Sequence, residues 1–225
     1  MRVYGRNVFN ELKKTPDKIK KVYLTNKMDD EIFDFLRENK ILYEVMDNSR
    51  LDKLVKGVHQ GMVMEVNDFE YSLLEELLNF DKLLVLDHLK DPHNFGAIIR
   101  TAEALGIKGI IIPKNRSISI NETVMKVSAG SLNYVKICLV SNIVNVIEKL
   151  KKANYFIYGA DMDGVDYFNI DYAPKTVLII GSEGEGLSAL VKNNCDEIVS
   201  IPMKGEINSL NASVAAAIIM SKIVR

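Results

Sequence analysis

Three blocks of polar residues in roughly the last 140 positions have the residue types and the spacing that catalysis requires. The first block runs from Asp87 to Glu103 and contains Asn94 and Arg100, the second from Gly181 to Ser188, and the third from Ile201 to Ala215. Each follows an apolar run typical of a buried strand. Because open α/β sheets bind ligands at the carboxyl ends of their strands, we expect the three loops to build one site.

The first block could place an amide and a guanidinium in one cleft. Its proline should break the chain after the strand, and Asn94 is a good N-cap for the helix that follows. Arg100 lies six positions later, nearly two helical turns. It reaches the same cleft only if the helix start is irregular or if its long side chain points back toward the N-terminus. The alternative is a surface ion pair with Glu103 or Glu44.

The second block combines glycines with acidic residues. Glycines at 181, 184 and 186 would let backbone amides approach a ligand closely. The block lacks the Gly-Lys-Ser/Thr of a phosphate loop and does not match the dinucleotide pattern G-x-G-x-x-G. Carboxylates at Glu183 and Glu185 would also repel a polyphosphate. A neutral or cationic ligand fits better, and the alternative is a tight turn with solvated acids.

The third block leads into an alanine-rich helix. Polar residues stand at its opening, where each could also be an ordinary helix cap: Asn208, Ser209 and Asn211. The small residues that follow, from Ala212 to Ala217, would allow close packing against a strand layer or a second subunit.

Composition excludes several other classes of protein. The chain has 225 residues and 48% hydrophobic content, which suits one large domain or two smaller ones. Its apolar runs are far shorter than the roughly 18 residues that span a bilayer, and its first residues lead into no signal-peptide core. We therefore expect a cytoplasmic protein without a membrane partner. Cys138 and Cys195 have neither disulfide nor metal-ligand spacing, so both should be reduced and structural.

The first 27 residues are basic, although the net charge of the whole chain is -1. This basic cluster could contact phosphates or could be a solvated helix face. It contains two acids, Glu11 and Asp17, and eight cationic side chains: Arg2, Arg6, Lys13, Lys14, Lys18, Lys20, Lys21 and Lys27.

Strand-like and helix-like patterns alternate along the whole chain, which predicts an α/β fold. We expect a small α/β domain over 1–67, a connector with a short amphipathic helix over 68–81, and a parallel-sheet domain with helices on both faces over 82–225. The patterns predict a helix over 4–14, a helix capped by Ser49, and an irregular stretch over 161–174.

Together, the three blocks closely resemble the motifs of the SpoU (TrmH) family of RNA ribose 2′-O-methyltransferases, which belongs to the SPOUT class. Val3–Val8 and His59–Val63 resemble the start and the end of the small RNA-substrate-binding domain in one subgroup. That subgroup includes RlmB, the guanosine 2′-O-methyltransferase of 23S ribosomal RNA. The resemblance implies that residues 82–225 form a deep trefoil knot, an exception to the rule that chains are unknotted.

The resemblance also implies a cofactor. S-Adenosylmethionine would lie bent against the knot, with its adenine held by backbone groups of Gly181, Ile201 and Leu210. Ser209 and Asn211 would shape the pocket and hold the knot by hydrogen bonds. The positive sulfonium of this cofactor agrees with the acidic character of the second block.

Residue roles in catalysis follow from the same resemblance. Arg100 matches the residue proposed to activate the ribose hydroxyl, while Asn94 and Glu183 would orient Arg100 and the ribose. Arginine resists deprotonation, so either the substrate complex perturbs Arg100 or it acts as a cation that stabilises the developing alkoxide. Family members are homodimers with the site at the subunit interface, which implies a second copy of this chain as a partner beside RNA.

Other functions stay open. A transfer RNA target would keep the same chemistry, and a non-catalytic ribosome-assembly factor could keep the same fold. A metal hydrolase would use the acidic and histidine residues of the first block, Asp87, His88, Asp91 and His93. These straddle a turn and lack a third cluster elsewhere, so we predict no metal centre.

Overall fold

The structure is a computed structural model and describes residues 1–206 and 209–225. It contains two compact units. The first comprises Met1–Glu70 and Ile120–Gly130, and the second comprises Tyr71–Ser119 and Ser131–Arg225. Residues 120–130 thus pack with the first unit, although the boundaries expected from the sequence place them in the second domain.

The helices connect the strands along both units. They are α1 (Arg6–Leu12), α2 (Asp30–Glu38), α3 (Asn48–Leu54), α4 (Leu74–Leu77), α5 (Pro92–Ala104), α6 (Glu122–Val127), α7 (Ile143–Lys152), α8 (Ala189–Asn194) and α9 (Ala212–Ile223). Short 3₁₀ turns occupy Pro16–Lys18, Ser131–Asn133 and Tyr167–Asn169. In the described part of the chain, every helix is too short or too polar to cross a membrane.

A mixed four-stranded sheet forms the first unit, in the order β1-β4-β2-β3. Its strands are β1 (Arg2–Tyr4), β2 (Ile19–Leu24), β3 (Leu42–Val45) and β4 (Met62–Val66). The β2–β3 pair is parallel, whereas β4 runs antiparallel to both β1 and β2. The core of this unit packs around Phe9, Leu24 and Leu36, which are almost completely buried.

A six-stranded sheet forms the second unit, in the order β10-β8-β9-β5-β6-β7. Its strands are β5 (Lys82–Leu86), β6 (Gly109–Pro113), β7 (Lys136–Val140), β8 (Phe156–Asp166), β9 (Thr176–Ile180) and β10 (Glu197–Ser200). Every neighbouring pair is parallel. The predicted parallel α/β sheet is therefore confirmed.

Helices cover both faces of this sheet. Alternate strand residues such as Val85 and Ile179 share one buried cluster with α4, α7 and α8, because successive side chains of a strand point to opposite faces. Helices α5 and α9 pack against each other, and α9 also contacts β9. The carboxyl ends of β5 and β9, which are neighbours in the sheet, therefore meet at one edge beside the start of α5.

Two predicted helix starts were wrong. Strand β1 occupies the beginning of the helix predicted over 4–14. The cap of α3 is Asp47, whose side chain accepts from the Arg50 backbone N–H, while the Ser49 hydroxyl donates to Asp47. An aspartate one residue before the helix holds the orphan amides better than a serine inside the first turn.

The irregular stretch predicted over 161–174 was also partly wrong, since β8 continues to Asp166. Its first half pairs with β9, and its last residues pair with β10 after a register shift between Ile198 and Val199. Gly164 permits this second pairing, since a Cβ there would lie 2.5 Å from the Ile198 carbonyl oxygen.

Candidate active site

The side chain of Asn94 joins the three polar blocks. Its Nδ2 donates a hydrogen bond to Glu183 Oε1 in the second block. Its Oδ1 accepts a hydrogen bond from Asn211 Nδ2 in the third block, with a length of 2.9 Å. Asn94 is buried, and a buried amide is stable only when its donor and acceptor are both satisfied. The three loops thus meet at one residue.

Asn94 is available for this bridge because another residue caps α5. Asp91 is the N-cap, and its carboxylate accepts from the His93 backbone N–H at 3.0 Å. Pro92 occupies the first helical position, where its missing N–H costs nothing. The expectation that Asn94 caps this helix was therefore wrong, since Asn94 lies in the first turn and its amide faces the other two blocks.

The second block forms a tight loop from Gly181 to Ser188. The backbones of Ser182 and Gly186 exchange two hydrogen bonds of 3.0 and 3.1 Å. A Cβ on Gly181 would lie 2.1 Å from the Gly186 carbonyl carbon, so this close approach requires glycine. Gly186 also has a φ of 66°, which favours glycine. The loop therefore brings backbone groups together where β9 ends, with the side chains of Glu183 and Glu185 exposed.

Asp87 holds this loop against the end of β5. Its carboxylate is 1% exposed, accepts from the Ser188 backbone N–H at 2.9 Å, and lies 2.6 Å from His88 Nδ1. From the sequence, Asp87 was expected at most as a metal ligand, and this role was not predicted. A carboxylate directly after a buried strand was the available signal, since a buried charge needs partners.

The third block approaches the site through the start of α9. Asn211 is the N-cap of α9, and its Oδ1 accepts from the backbone N–H and the hydroxyl of Ser213. The same side chain thus caps the helix with its oxygen and reaches Asn94 with its amino group. Ser209 and Leu210 are exposed, and Ile201 is half-buried after β10. Asn208 lies outside the described residues.

Backbone groups near these loops are free to bind a ligand. Gly181, Ile201 and Leu210 make no backbone hydrogen bond to any residue that the structure describes. Each would need an external partner if it were enclosed. This donor set suits a neutral heterocycle with hydrogen-bonding edges, and the carboxylates of Glu183 and Glu185 favour a cationic group nearby.

Arg100 is exposed on α5, two turns after Asn94. Within the described residues it has no ion pair, and neither alternative partner engages it. Glu44 is paired with Lys21 and Arg50, and no ion pair joins Arg100 to Glu103. The structure does not bring Arg100 into contact with Asn94 or Glu183. An arginine without a partner can bind a phosphate or an oxyanion without first losing another contact.

The first unit uses its basic residues differently. Ion pairs hold several cations of the basic cluster: Arg2 pairs with Glu65, Arg6 with Asp29, Lys14 with Glu11 and Lys21 with Glu44. Lys13 lies over the rings of Phe9 and Phe35. The hydrogen bond between Lys21 and Glu44 lowers the pKa of that carboxyl group.

The proposed metal ligands of the first block do not converge. Asp91 caps α5, and Asp87 contacts only His88 among these four residues. Across residues 1–206 and 209–225, no group of three or more histidine, cysteine or acidic side chains is arranged to hold a metal ion. Cys138 and Cys195 are free thiols. Burial raises the pKa of both, to about 11 for Cys195, which disfavours the reactive thiolate.

Comparison with known families shows the family to which this chain belongs. Residues 81–221 match the model of the SpoU rRNA Methylase family. The chain belongs to the SpoU family. Residues 2–72 match a second SpoU-associated model, described as RNA 2'-O ribose methyltransferase substrate binding.

The sequence similarity to SpoU relatives covers most of this chain. A Staphylococcus haemolyticus protein named "Putative TrmH family tRNA/rRNA methyltransferase" is 35% identical over 235 residues, covering 99% of this chain and 94% of the relative. A protein of the same name from Staphylococcus saprophyticus is 40% identical over 203 residues, covering 87% of this chain and 82% of the relative.

Solved structures show the same architecture. The SpoU methyltransferase AviRb of Streptomyces viridochromogenes, crystallised with the cofactor AdoMet, has a TM-score of 0.84 at 26% identity, covering 100% of this chain and 89% of AviRb. A TrmH/SpoU tRNA modifying enzyme of A. aeolicus has a TM-score of 0.59 at 30% identity, covering 67% of this chain and 80% of that enzyme. This chain is thus similar to SpoU proteins both in sequence and in fold.

Proposed function

We propose that this chain transfers the methyl group of S-adenosylmethionine to the 2′-oxygen of a guanosine ribose in 23S ribosomal RNA. Membership of the SpoU family makes it an RNA methyltransferase that uses S-adenosylmethionine. The observation that carries the proposed active site is the bridge at Asn94, which ties Glu183 and Asn211 into one unit. The choice of a ribosomal target rests on the resemblance to the subgroup with a separate RNA-binding domain. A site shared by three loops can fix a cofactor and a ribose relative to each other.

The cofactor would be held by the backbone groups of Gly181, Ile201 and Leu210, with Ser209 and Asn211 shaping the pocket. Gly181, Ile201 and Leu210 make no backbone hydrogen bond to the described residues, which supports this assignment. When bound, S-adenosylmethionine supplies an electrophilic methyl group on a sulfonium sulfur. The acidic side chains of Glu183 and Glu185 suit that positive charge, as they do not suit a polyphosphate.

Arg100 would stabilise the ribose oxygen as it becomes a nucleophile. A ribose hydroxyl is a weak acid, so its oxygen needs electrostatic help as the proton leaves to solvent and the bond to carbon forms. Arginine keeps its charge, which makes a cationic role simpler than a role as base. Asn94 and Glu183 would orient the ribose beside it. The exposure of Arg100 supports direct contact with RNA.

The domain organisation would follow that of the subgroup with a separate RNA-binding domain. Residues 1–67 would bind the RNA, 68–81 would connect the domains, and 82–225 would form the knotted methyltransferase domain. The match to a substrate-binding model over residues 2–72 supports this division. We further propose a deep trefoil knot, a homodimer with the site at its interface, and a cytoplasmic location.

A methyl-transfer assay tests this function. The purified full chain is incubated with tritiated S-adenosylmethionine and with ribosomal or transfer RNA from cells that lack its gene. Nuclease digestion and mass spectrometry then identify the modified nucleoside. We expect 2′-O-methylguanosine from 23S ribosomal RNA. Methylation of transfer RNA alone would contradict the proposed ribosomal RNA target. Methylation of neither RNA would contradict the proposed methyltransferase activity.

The role of Arg100 is tested by Arg100→Lys, with Arg225→Lys as a control at an exposed site. A lysine keeps the charge but not the planar fork of donors. We expect turnover to fall by a similar factor across a wide pH range. Unchanged turnover would exclude a role for Arg100, and recovery of activity at high pH would instead indicate a base.

A further inference from the structure

A second group of cations lies on the loop that follows β6. Strand β6 pairs with β5 in parallel, so both strands end at the same edge of the sheet. The first block leaves β5 at this edge, and the loop over 114–119 leaves β6 beside it. Residues on this loop are therefore placed next to the segment that leads to Asn94.

Hydrogen bonds fix the loop to the first block. The Leu89 carbonyl oxygen accepts from the Ile118 backbone N–H at 2.9 Å and from the Ser117 hydroxyl at 3.2 Å. Leu89 is completely buried, so its carbonyl needs these donors. On the other side, the Lys114 backbone N–H donates to Val140 at the end of β7. The loop is thus held at both ends.

The cations on these two loops are unpaired. Lys90, Lys114 and Arg116 are exposed, and none of them forms an ion pair with any residue that the structure describes. The acids of the adjoining first block are occupied, since Asp91 caps α5 and Asp87 is buried under the second block. Within the described residues, no carboxylate of the first block forms an ion pair with these three cations.

The backbone is strained at one residue on each of the two loops. Arg116 has a φ of 56° and His88 a φ of 58°, values that cost non-glycine residues free energy. The two residues lie on the loops that meet at the Leu89 carbonyl. Glycine is therefore a suitable replacement at Arg116, because it removes the side chain and adopts a positive φ without strain.

We propose that Lys90, Lys114 and Arg116 bind phosphate groups of the RNA next to the target ribose. The inference rests on the proposed function, and it adds a binding site in the second unit to the RNA-binding domain expected in the first. Phosphate contacts fix the register of an RNA without reading its sequence. Cations on loops fixed to the first block can hold the RNA strand on one side of the target ribose.

RNA binding measured against salt concentration tests the proposal. The dissociation constant of a fluorescein-labelled RNA hairpin is determined by anisotropy for the wild type and for the double variant Lys114→Gln/Arg116→Gln. Each lost phosphate contact should reduce the slope of log Kd against log salt by about 1. Lys108→Gln is the matched control, because Lys108 is exposed at the opposite end of β6.

Arg116→Gly separates binding from stability. Glycine adopts a positive φ without cost, so the variant should be at least as stable as the wild type in urea denaturation. Its RNA binding should nevertheless weaken. In methyl transfer, the KM for RNA should rise while kcat at saturating RNA and cofactor affinity stay near wild-type values.

The proposal is overturned if the double variant keeps the wild-type affinity and salt slope, or if Lys108→Gln weakens binding equally. The binding measurement needs no turnover. If the variants bind RNA more weakly than the wild type, and the wild type transfers no methyl group, the phosphate site is supported and the proposed function is rejected.

Discussion

Two groups of cations, the basic cluster of the first unit and the cations around the first block of the second, differ in their partners. In the first unit, Arg2, Arg6 and Lys21 are paired with carboxylates. In the second unit, Arg100 and the cations of the loop over 114–119 lack a carboxylate partner among the described residues. The basic cluster that is most visible in the sequence is thus partly neutralised in the structure.

This difference teaches that the number of cations is a poor guide to where a nucleic acid binds. A paired cation must exchange a carboxylate for a phosphate, which leaves the acid without its partner. An unpaired cation gains the phosphate without that loss. In the second unit, such cations lie on the first block, which contains Asn94, and on the loop that is hydrogen-bonded to this block at Leu89.

The largest effect is expected from Arg100→Ala. Removing a cation that stabilises developing charge should lower kcat by about 100- to 1,000-fold. Stability should change little because the side chain is exposed. Methyl transfer at saturating RNA and cofactor measures the loss, with Lys108→Ala as the control. If both variants lose activity equally, Arg100 has no special role.

A smaller effect is expected from Asp87→Ala. The change leaves the Ser188 backbone N–H without its acceptor, which should cost about 1–3 kcal/mol of unfolding free energy. Loosening of the second block should also raise the Kd for S-adenosylmethionine. Urea denaturation and calorimetry measure these effects. Asp163→Ala is the control, since that exposed carboxylate lies 3.7 Å from Lys192, and equal losses would contradict the anchoring role.

The contrast between the units is tested by removing a charge pair. In the double variant Arg6→Gln/Asp29→Asn, one exposed ion pair is lost without a change in net charge. The unfolding free energy should change by less than about 1 kcal/mol. The salt slope of RNA binding should stay at the wild-type value. If this variant reduces the salt slope of RNA binding as much as Lys114→Gln/Arg116→Gln does, the two groups of cations do not differ in RNA binding.

A further prediction concerns alkaline stability. Burial raises the pKa of the Cys195 thiol from 9.0 to about 11. The unfolded thiol therefore ionises first, and its contribution to stability is complete below about pH 9 and is lost between about pH 9 and pH 11. Unfolding free energies measured across this range should decline less steeply in Cys195→Ala. Identical slopes would contradict burial as the cause.

Much of the fold could be predicted from local patterns. Strands β4 (Met62–Val66), β5 (Lys82–Leu86) and β9 (Thr176–Ile180) are each a short apolar run, which is the pattern of a buried strand. Helix caps were less predictable. Asp91 and Asn94 are both good caps, and the position of Pro92 favoured the aspartate. Because Asp91 caps α5, the side chain of Asn94 can bond to Glu183 and Asn211.

The site itself was predicted through the combination of motifs more than through spacing. Asn94 is 89 positions from Glu183 and 117 from Asn211, and no local pattern relates residues so far apart. The family resemblance grouped them. It did not indicate that Asn94 is the shared partner, that Asp87 holds the second block, or that several cations of the basic cluster are paired with carboxylates.

The bridge at Asn94 is tested most directly by a double-mutant cycle measured as kcat for methyl transfer. Asn94→Ala removes the bridge, and Asn211→Ser removes the amide donor while keeping an oxygen that can cap α9. We predict that the double variant loses little more activity than Asn94→Ala alone, because both changes break the same unit. Losses that add fully would show that the three loops act independently and would contradict the account.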